Sequence, residues 1–170
     1  MANIRSFFVF LSLVALILIL YLLPNILSSK KKDTFKVSPQ NQSSLPEILI
    51  NETKLFIELA DTPEKRTLGL AGRTSLKENE GMFFDYKIKD SYPIFWMKGM
   101  LIPLDIIWIN DGIVVQIDAN IPIPNAGAPE ADIPKYPAKF PVDYVLEVNA
   151  GFTQKHGISV GNVVDLPEFN

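Results

Sequence analysis

The chain has 170 residues, 48% hydrophobic and 21% charged, with no cysteine, one histidine and a formal net charge of −3. That length holds one ordinary domain plus an appendage, and the lack of cysteine excludes disulfides and thiolate catalysis. All 19 acidic residues follow Lys32 with only 12 of the 16 basic ones, so that portion carries −7; a nucleic-acid partner, which needs a basic surface, is not expected.

The appendage comes first. Phe7 to Leu27 is a 21-residue run without a charge, set between Arg5 and Lys30-Lys31-Lys32. As a helix rising ~1.5 Å per residue it would cross the ~30 Å hydrocarbon core of a bilayer. Residues 1–27 are therefore expected to be a transmembrane helix that partners the membrane through residues 7–27. A signal peptide has a shorter apolar core and a small-x-small cleavage site; Leu23 to Leu27 offers none, so an uncleaved anchor is expected. Arg5 and the α-amino group favour an inside N-terminus, whereas the three lysines pull the other way. The expectation is a membrane-anchored protein whose soluble domain lies outside the cytoplasmic membrane.

Residues 28–46, "SSKKKDTFKVSPQNQSSLP", are polar and without apolar period. They read as a flexible linker, because such a segment buries too little apolar surface to offset its ordering entropy.

A β-rich soluble domain is expected over residues 47–170. "EILIN" and "KLFIELA" read as strands, the second alternating Leu55, Ile57 and Leu59 with other residues. In "DTPEKRTLGLAGR", Thr62 is an N-cap, Pro63 suits the first helical position and Gly72 can close the helix. "GMFFDY", "YPIFWMK" and "LDIIWIN" read as further strands. Asn110-Asp111-Gly112 predicts a tight hairpin turn into "IVVQIDANI". Six of the thirteen prolines fall in residues 122–141, which predicts a long surface loop without central strand or helix. "VDYVLEVNA" is a strand, "GFTQKHG" a helical turn and "NVVDL" a closing strand. The fold class expected is mainly β: a compact antiparallel sandwich or barrel with one or two short helices.

No phosphate-binding glycine loop and no G-x-S-x-G elbow is present. His156 is the lone histidine and sits in a polar turn, which leaves no His-pair zinc site. No cofactor and no metal is expected.

Three groups of polar residues stand out. Arg66 and Arg73 are the domain's only arginines and, seven apart, would project from one helix face. Arginine suits carboxylate or phosphate recognition, but solvent-facing helix arginines have the same pattern. Trp96 and Lys98 share one strand face and Phe95 and Met97 the other; the first pair reads either as an edge-strand guard against aggregation or as a ligand anchor with a stacking platform. Asp105 lies in a strand apolar on both faces. It is expected to be buried and to need a partner, for which Lys98, Arg66 and Arg73 are the available cations. Glu147, alternating with Val145, raises the same question.

Taken together, "R-x-x-G-L" (Arg66, Gly69, Leu70), "GMFF" (Gly81 to Phe84), "FWMK" (Phe95 to Lys98), "IPLDII" (Ile102 to Ile107), "VLEVNAG" (Val145 to Gly151) and "GI-x-x-G" (Gly157, Ile158, Gly161) resemble the family called domain of unknown function 192, over about residues 50–167. The resemblance implies a small β-sandwich or barrel, often behind an export or lipoprotein-type leader, and supplies no accepted reaction. The chain departs from the family pattern at Ala71, at Gly99-Met100, where Asn-Thr is usual, and at Asn162.

Three function classes follow. In the first, Arg66, Arg73, Trp96, Lys98, Asp105 and Glu147 line a pocket for a small anionic or sugar-like ligand. In the second, a hydrolase-type enzyme uses Asp105 or Glu147 as general acid/base. In the third, these groups are fold-holding ion pairs of a structural or protein-docking domain. The residues imply no particular oligomeric state.

Overall fold

A computed structural model describes residues 45–166. The expected anchor, and all but the last two residues of the expected linker, lie outside the described residues. Among the described residues, no helix is long and apolar enough to cross a membrane.

In the described residues nine strands and two short α-helices follow one another as β1 (Glu47–Ile50), β2 (Thr53–Ala60), α1 (Pro63–Leu68), β3 (Glu80–Asp85), β4 (Ile94–Trp96), β5 (Leu104–Asn110), β6 (Ile113–Ile121), β7 (Lys135–Pro137), β8 (Tyr144–Asn149), α2 (Phe152–Lys155) and β9 (Val164–Asp165). Seven strands form one sheet in the order β6-β5-β8-β3-β2-β1-β9. Its two ends nearly meet: Val114 N donates to the Asn162 carbonyl at 2.9 Å and Val164 N to the Gly112 carbonyl at 2.8 Å. The result is a nearly closed barrel, which leaves little unpaired edge.

One pair departs from the antiparallel expectation. β2 and β3 run parallel, with Ile57 opposite Gly81 and Leu59 opposite Phe83. The segment from Asp61 to Asn79, carrying α1, is the crossover that a parallel pair requires. The hairpin between β5 and β6 forms as expected, because Asp111 and Gly112 both adopt positive φ, 45° and 72°. The proline-rich segment is mainly loop, but it holds a 3-10 turn at Glu130–Asp132 and the short strand β7, which pairs with β4 in a two-stranded sheet. Prolines are tolerated in so short an edge strand.

Strand alternation divides the core in two. Ile107 and Ile109 of β5, Leu146 and Val148 of β8, Phe83 of β3 and residues from the other four strands form one apolar cluster, plugged by Phe152 of α2. Because it draws on all seven strands, this cluster fills the barrel. The residues between them, Ile106, Trp108, Val145, Met82 and Phe84, point outward into a second cluster. Phe95 of β4 covers it edge-on, with ring centroids 4.8 Å from Phe84 and 5.4 Å from Trp108. Trp108 is fully buried and its indole N–H donates to Asp118 Oδ2 at 2.7 Å. Each such large side chain contributes on the order of 2 kcal/mol on burial. The barrel thus carries an outer layer, built from α1 and the β4/β7 sheet, on one side of its wall.

Candidate functional site

A cleft of about 520 Å³ opens in that outer layer. α1 and the turn after it supply one wall (Arg66, Leu68, Gly69, Leu70) and β4 with Lys98 the other (Ile94, Trp96, Lys98). Phe84, Tyr86, Met100 and Glu147 line it from the barrel. The volume is within the usual range for small-ligand pockets.

Glu147 dominates the chemistry of the cleft. It lies on β8 with Met82 and Ile106 as its neighbours across the sheet, is only 5% exposed, and its Oε2 has no hydrogen-bond partner. Burial pushes its carboxyl up to about 8, because a low-dielectric surrounding disfavours the charged form. At neutral pH it is chiefly a neutral carboxylic acid, able to donate one O–H.

Two cations line the same cleft, and neither pairs with Glu147. Arg66 Nη1 donates to the Asp85 carbonyl at 2.8 Å, and its guanidinium lies 5.1 Å from the Tyr86 ring centroid. Lys98 Nζ lies 5.0 Å from the Trp96 ring centroid and is ion-paired with Glu130 of the 3-10 turn. Burial also raises the Tyr86 hydroxyl, to about 12, so it stays protonated. Trp96 is 37% exposed, a partly open aromatic face beside the lysine.

Of the six residues singled out from the sequence, the cleft gathers Arg66, Trp96, Lys98 and Glu147; Arg73 and Asp105 are elsewhere. The expected common helix face of Arg66 and Arg73 does not form. α1 ends at Leu68 because Gly69, at φ 52°, turns the chain and donates its N–H to the Lys65 carbonyl. Gly69, and not Gly72, is the C-cap, and Arg73 lies beyond the helix. Its guanidinium makes a two-pronged ion pair with Glu58 of β2, which lowers the Glu58 carboxyl through that hydrogen bond.

Asp105 meets none of the cations expected for it. It is fully buried on the interior face of β5, one residue out of phase with the outward-facing row. Oδ1 accepts from Asn120 N at 2.7 Å and Gly151 N at 3.0 Å, and Oδ2 from Thr153 N at 2.9 Å and Thr153 Oγ1 at 2.6 Å. Four donors satisfy the carboxylate, and it ties α2 to the end of β6. With every donor internal, Asp105 has no access to the cleft and is no general acid/base there. The meeting of Lys98 and Asp105 across residues 99–103 does not occur either.

Three contributors were missed from sequence. Tyr86 follows "GMFFD" directly, but an aromatic after a strand carries no special signal. Glu130 meets Lys98 across 32 residues, a pairing no local pattern announces. Gly69 was read only as part of a motif. A Cβ built on it would lie 3.6 Å from Phe84 Cζ and 3.9 Å from Glu147 Oε2, so its bare backbone helps keep the space above the carboxyl open. Gly99, where the family resemblance led us to expect Asn, has φ 73° and lies against Ala71; it makes a left-handed turn and does not line the cleft. Among the described residues no cluster of three or more His, Cys, Asp or Glu could hold a metal ion.

No curated protein matches the chain. Solved structures do, two of them as follows. A protein of unknown function from Novosphingobium aromaticivorans DSM 12444 is 33% identical, covering 70% of this chain and 83% of its own, with a TM-score of 0.62. A Sinorhizobium meliloti 1021 protein, described as a candidate transcription regulator, is 32% identical over 74% of this chain and 97% of its own, with a TM-score of 0.61. The model of the family DUF192, described as an uncharacterised ACR, matches residues 47–166. Those bounds run from the first residue of β1 to the residue after β9, so the barrel and its outer layer together are one family unit: the chain belongs to the domain of unknown function 192 family.

Proposed function

We propose that the domain binds a small anionic ligand in the outer cleft, its anionic group between Arg66 and Lys98 and its body against Trp96 and Tyr86. The observation that carries this reading is Glu147: a buried carboxyl without a partner weakens the fold, and this one lines an open cleft whose walls also carry Arg66 and Lys98. A structural ion pair, by contrast, leaves no atom unsatisfied, as Arg73 and Glu58 illustrate. A sugar-like ligand remains the second reading, favoured by the exposed Trp96 face. The enzyme reading retains Glu147 as its single acid/base, since Asp105 is fully engaged.

The description of the Sinorhizobium relative as a regulator stays with that protein. Here the acidic balance after Lys32 supports no nucleic-acid partner. The uncharged run Phe7 to Leu27 supports a membrane anchor, and Arg5 with the α-amino group before it supports a domain outside; a reporter fused after Asn170 that is active only in the cytoplasm would overturn that placement.

The cleft itself is tested by thermal shift on the full-length chain with acetate, pentanoate, inorganic phosphate and glucose. A ligand preferring the folded state raises the melting temperature. Anions should do so in the wild type and lose the effect in Arg66→Gln and Lys98→Gln. Glucose acting alone, insensitive to both substitutions, would favour the sugar reading. No shift with any of the four probes at 10 mM would sink the anion site.

A further inference from the structure

The cleft has two chemically different ends. At its rim, Lys98 is half exposed and Arg66 half buried, so both can reach an anion from water. Deeper, the surface is apolar, with Leu70, Phe84 and Met100 among the lining residues. Within that apolar patch Glu147 Oε2 is the unpartnered polar atom.

The titratable and cationic groups that share the cleft with Glu147 are few. Arg66 comes from α1, Tyr86 from just after β3 and Lys98 from the turn after β4, while Met82 and Ile106 flank it in the sheet. None donates a hydrogen bond to it. Its protonated state is set by burial alone, and the O–H it then carries points to no protein acceptor.

A ligand that fills the cleft is what can give that O–H an acceptor. A hydrocarbon end leaves the donor unpaired, which costs about tenfold in affinity. An ammonium end requires Glu147 to ionise and brings a positive charge into a cleft already lined by two cations. A neutral oxygen end accepts the proton without moving any charge.

We propose that the ligand is a small oxo- or hydroxy-carboxylate, held by its carboxylate at Arg66 and Lys98 and by its neutral oxygen at the unpartnered carboxyl of Glu147. This rests on the cleft being an anion site and names the class of anion. Binding is coupled to one proton: it is full while Glu147 is protonated and falls as rising pH ionises it.

The test uses the full-length chain and titrates pentanoate, 4-oxopentanoate, 6-oxoheptanoate and 5-aminopentanoate by nuclear magnetic resonance at pH 6 and pH 9. At pH 6 an oxo acid should bind about tenfold more tightly than pentanoate, and the amino acid more weakly than either. At pH 9 the oxo-acid advantage should shrink about tenfold, following a carboxyl that titrates about one unit lower. Glu147→Gln, whose amide N–H still donates, should keep the preference at both pH values; Glu147→Leu should lose it at both. Equal binding of pentanoate and the oxo acids, or a wild-type preference that ignores pH, would overturn the proposal and leave the anion site standing. If no carboxylate binds, the anion site fails and the proposal with it. A Glu147→Gln protein that still loses its preference at pH 9 would assign the proton elsewhere and equally overturn it.

Discussion

Asp105 and Glu147 are buried carboxyls on neighbouring strands of one sheet, yet they face opposite sides of it. Asp105 points into the barrel and receives four hydrogen bonds; Glu147 points out beneath the second layer, and its Oε2 receives none. On the interior side the end of β6 and the start of α2 converge on β5, so backbone N–H groups of Asn120, Gly151 and Thr153 are at hand. The outer wall of β8 offers only side chains of β3, β5 and the covering layer, and those nearest are apolar. Both are buried and acidic, and only satisfaction by partners separates a structural carboxylate from a candidate ligand-binding one.

Removing the satisfied carboxylate should have the largest effect. Asp105→Ala strands three N–H groups and a hydroxyl, the two donors of Thr153 fully buried, a loss of about 3–5 kcal/mol by analogy with broken buried charge networks. Urea denaturation measures it, and wild-type stability in this variant would erase the contrast.

Glu147→Gln should act in the opposite sense. The unfolded carboxyl titrates near 4.5 and the folded one at about 8, so the native state binds the proton more tightly. That contribution is complete below pH 4.5 and is lost as pH rises towards 8, at about 1.4 kcal/mol per pH unit and a few kcal/mol in all. Melting curves of wild type and Glu147→Gln should therefore diverge between pH 5 and pH 8, with the variant the more stable at pH 8. Parallel curves would mean that Glu147 has a partner after all.

Gly69→Ala comes next. It forces a side chain onto a backbone at φ 52° and ψ −138°, a region open chiefly to glycine, at a cost of about 1–3 kcal/mol. It also narrows the space over Glu147, so ligand-induced stabilisation should fall further than stability does. Equal loss of both would reduce Gly69 to a helix terminator.

The smallest effect belongs to the pair outside the cleft. Glu58→Gln should cost about 1 kcal/mol or less, since both partners are about one-third exposed. Its pH dependence has the reverse sign to that of Glu147. Arg73 lowers the Glu58 carboxyl, so the contribution is present above pH 4.5 and is lost as pH falls through the lowered value. Acid melts of wild type and variant should converge.

Much of this molecule is legible residue by residue. Alternation in "LDIIWIN" and "YVLEVNA" marks two-faced strands, Asp111-Gly112 marks the hairpin, and Thr62-Pro63 marks the start of α1, where Thr62 accepts from Lys65 N. These are local rules of period, turn chemistry and capping, and each involves residues a few positions apart. The end of α1 was less legible: Gly69 and Gly72 are both competent stops, and choosing the later one put Arg73 on the helix.

Sequence by itself therefore determined a β-rich domain, its strand faces, the family, and the residue types from which a polar site would be assembled. Tertiary structure decided which of those residues meet. Asp105 finds Thr153 across 48 residues, Lys98 finds Glu130 across 32, and Arg73 finds Glu58 across 15. Partners at such separations are brought together by barrel closure and the layer packed on its wall. For that reason the sequence pattern named Glu147 as a question, and only packing left its carboxyl buried, open to a cleft and unpaired.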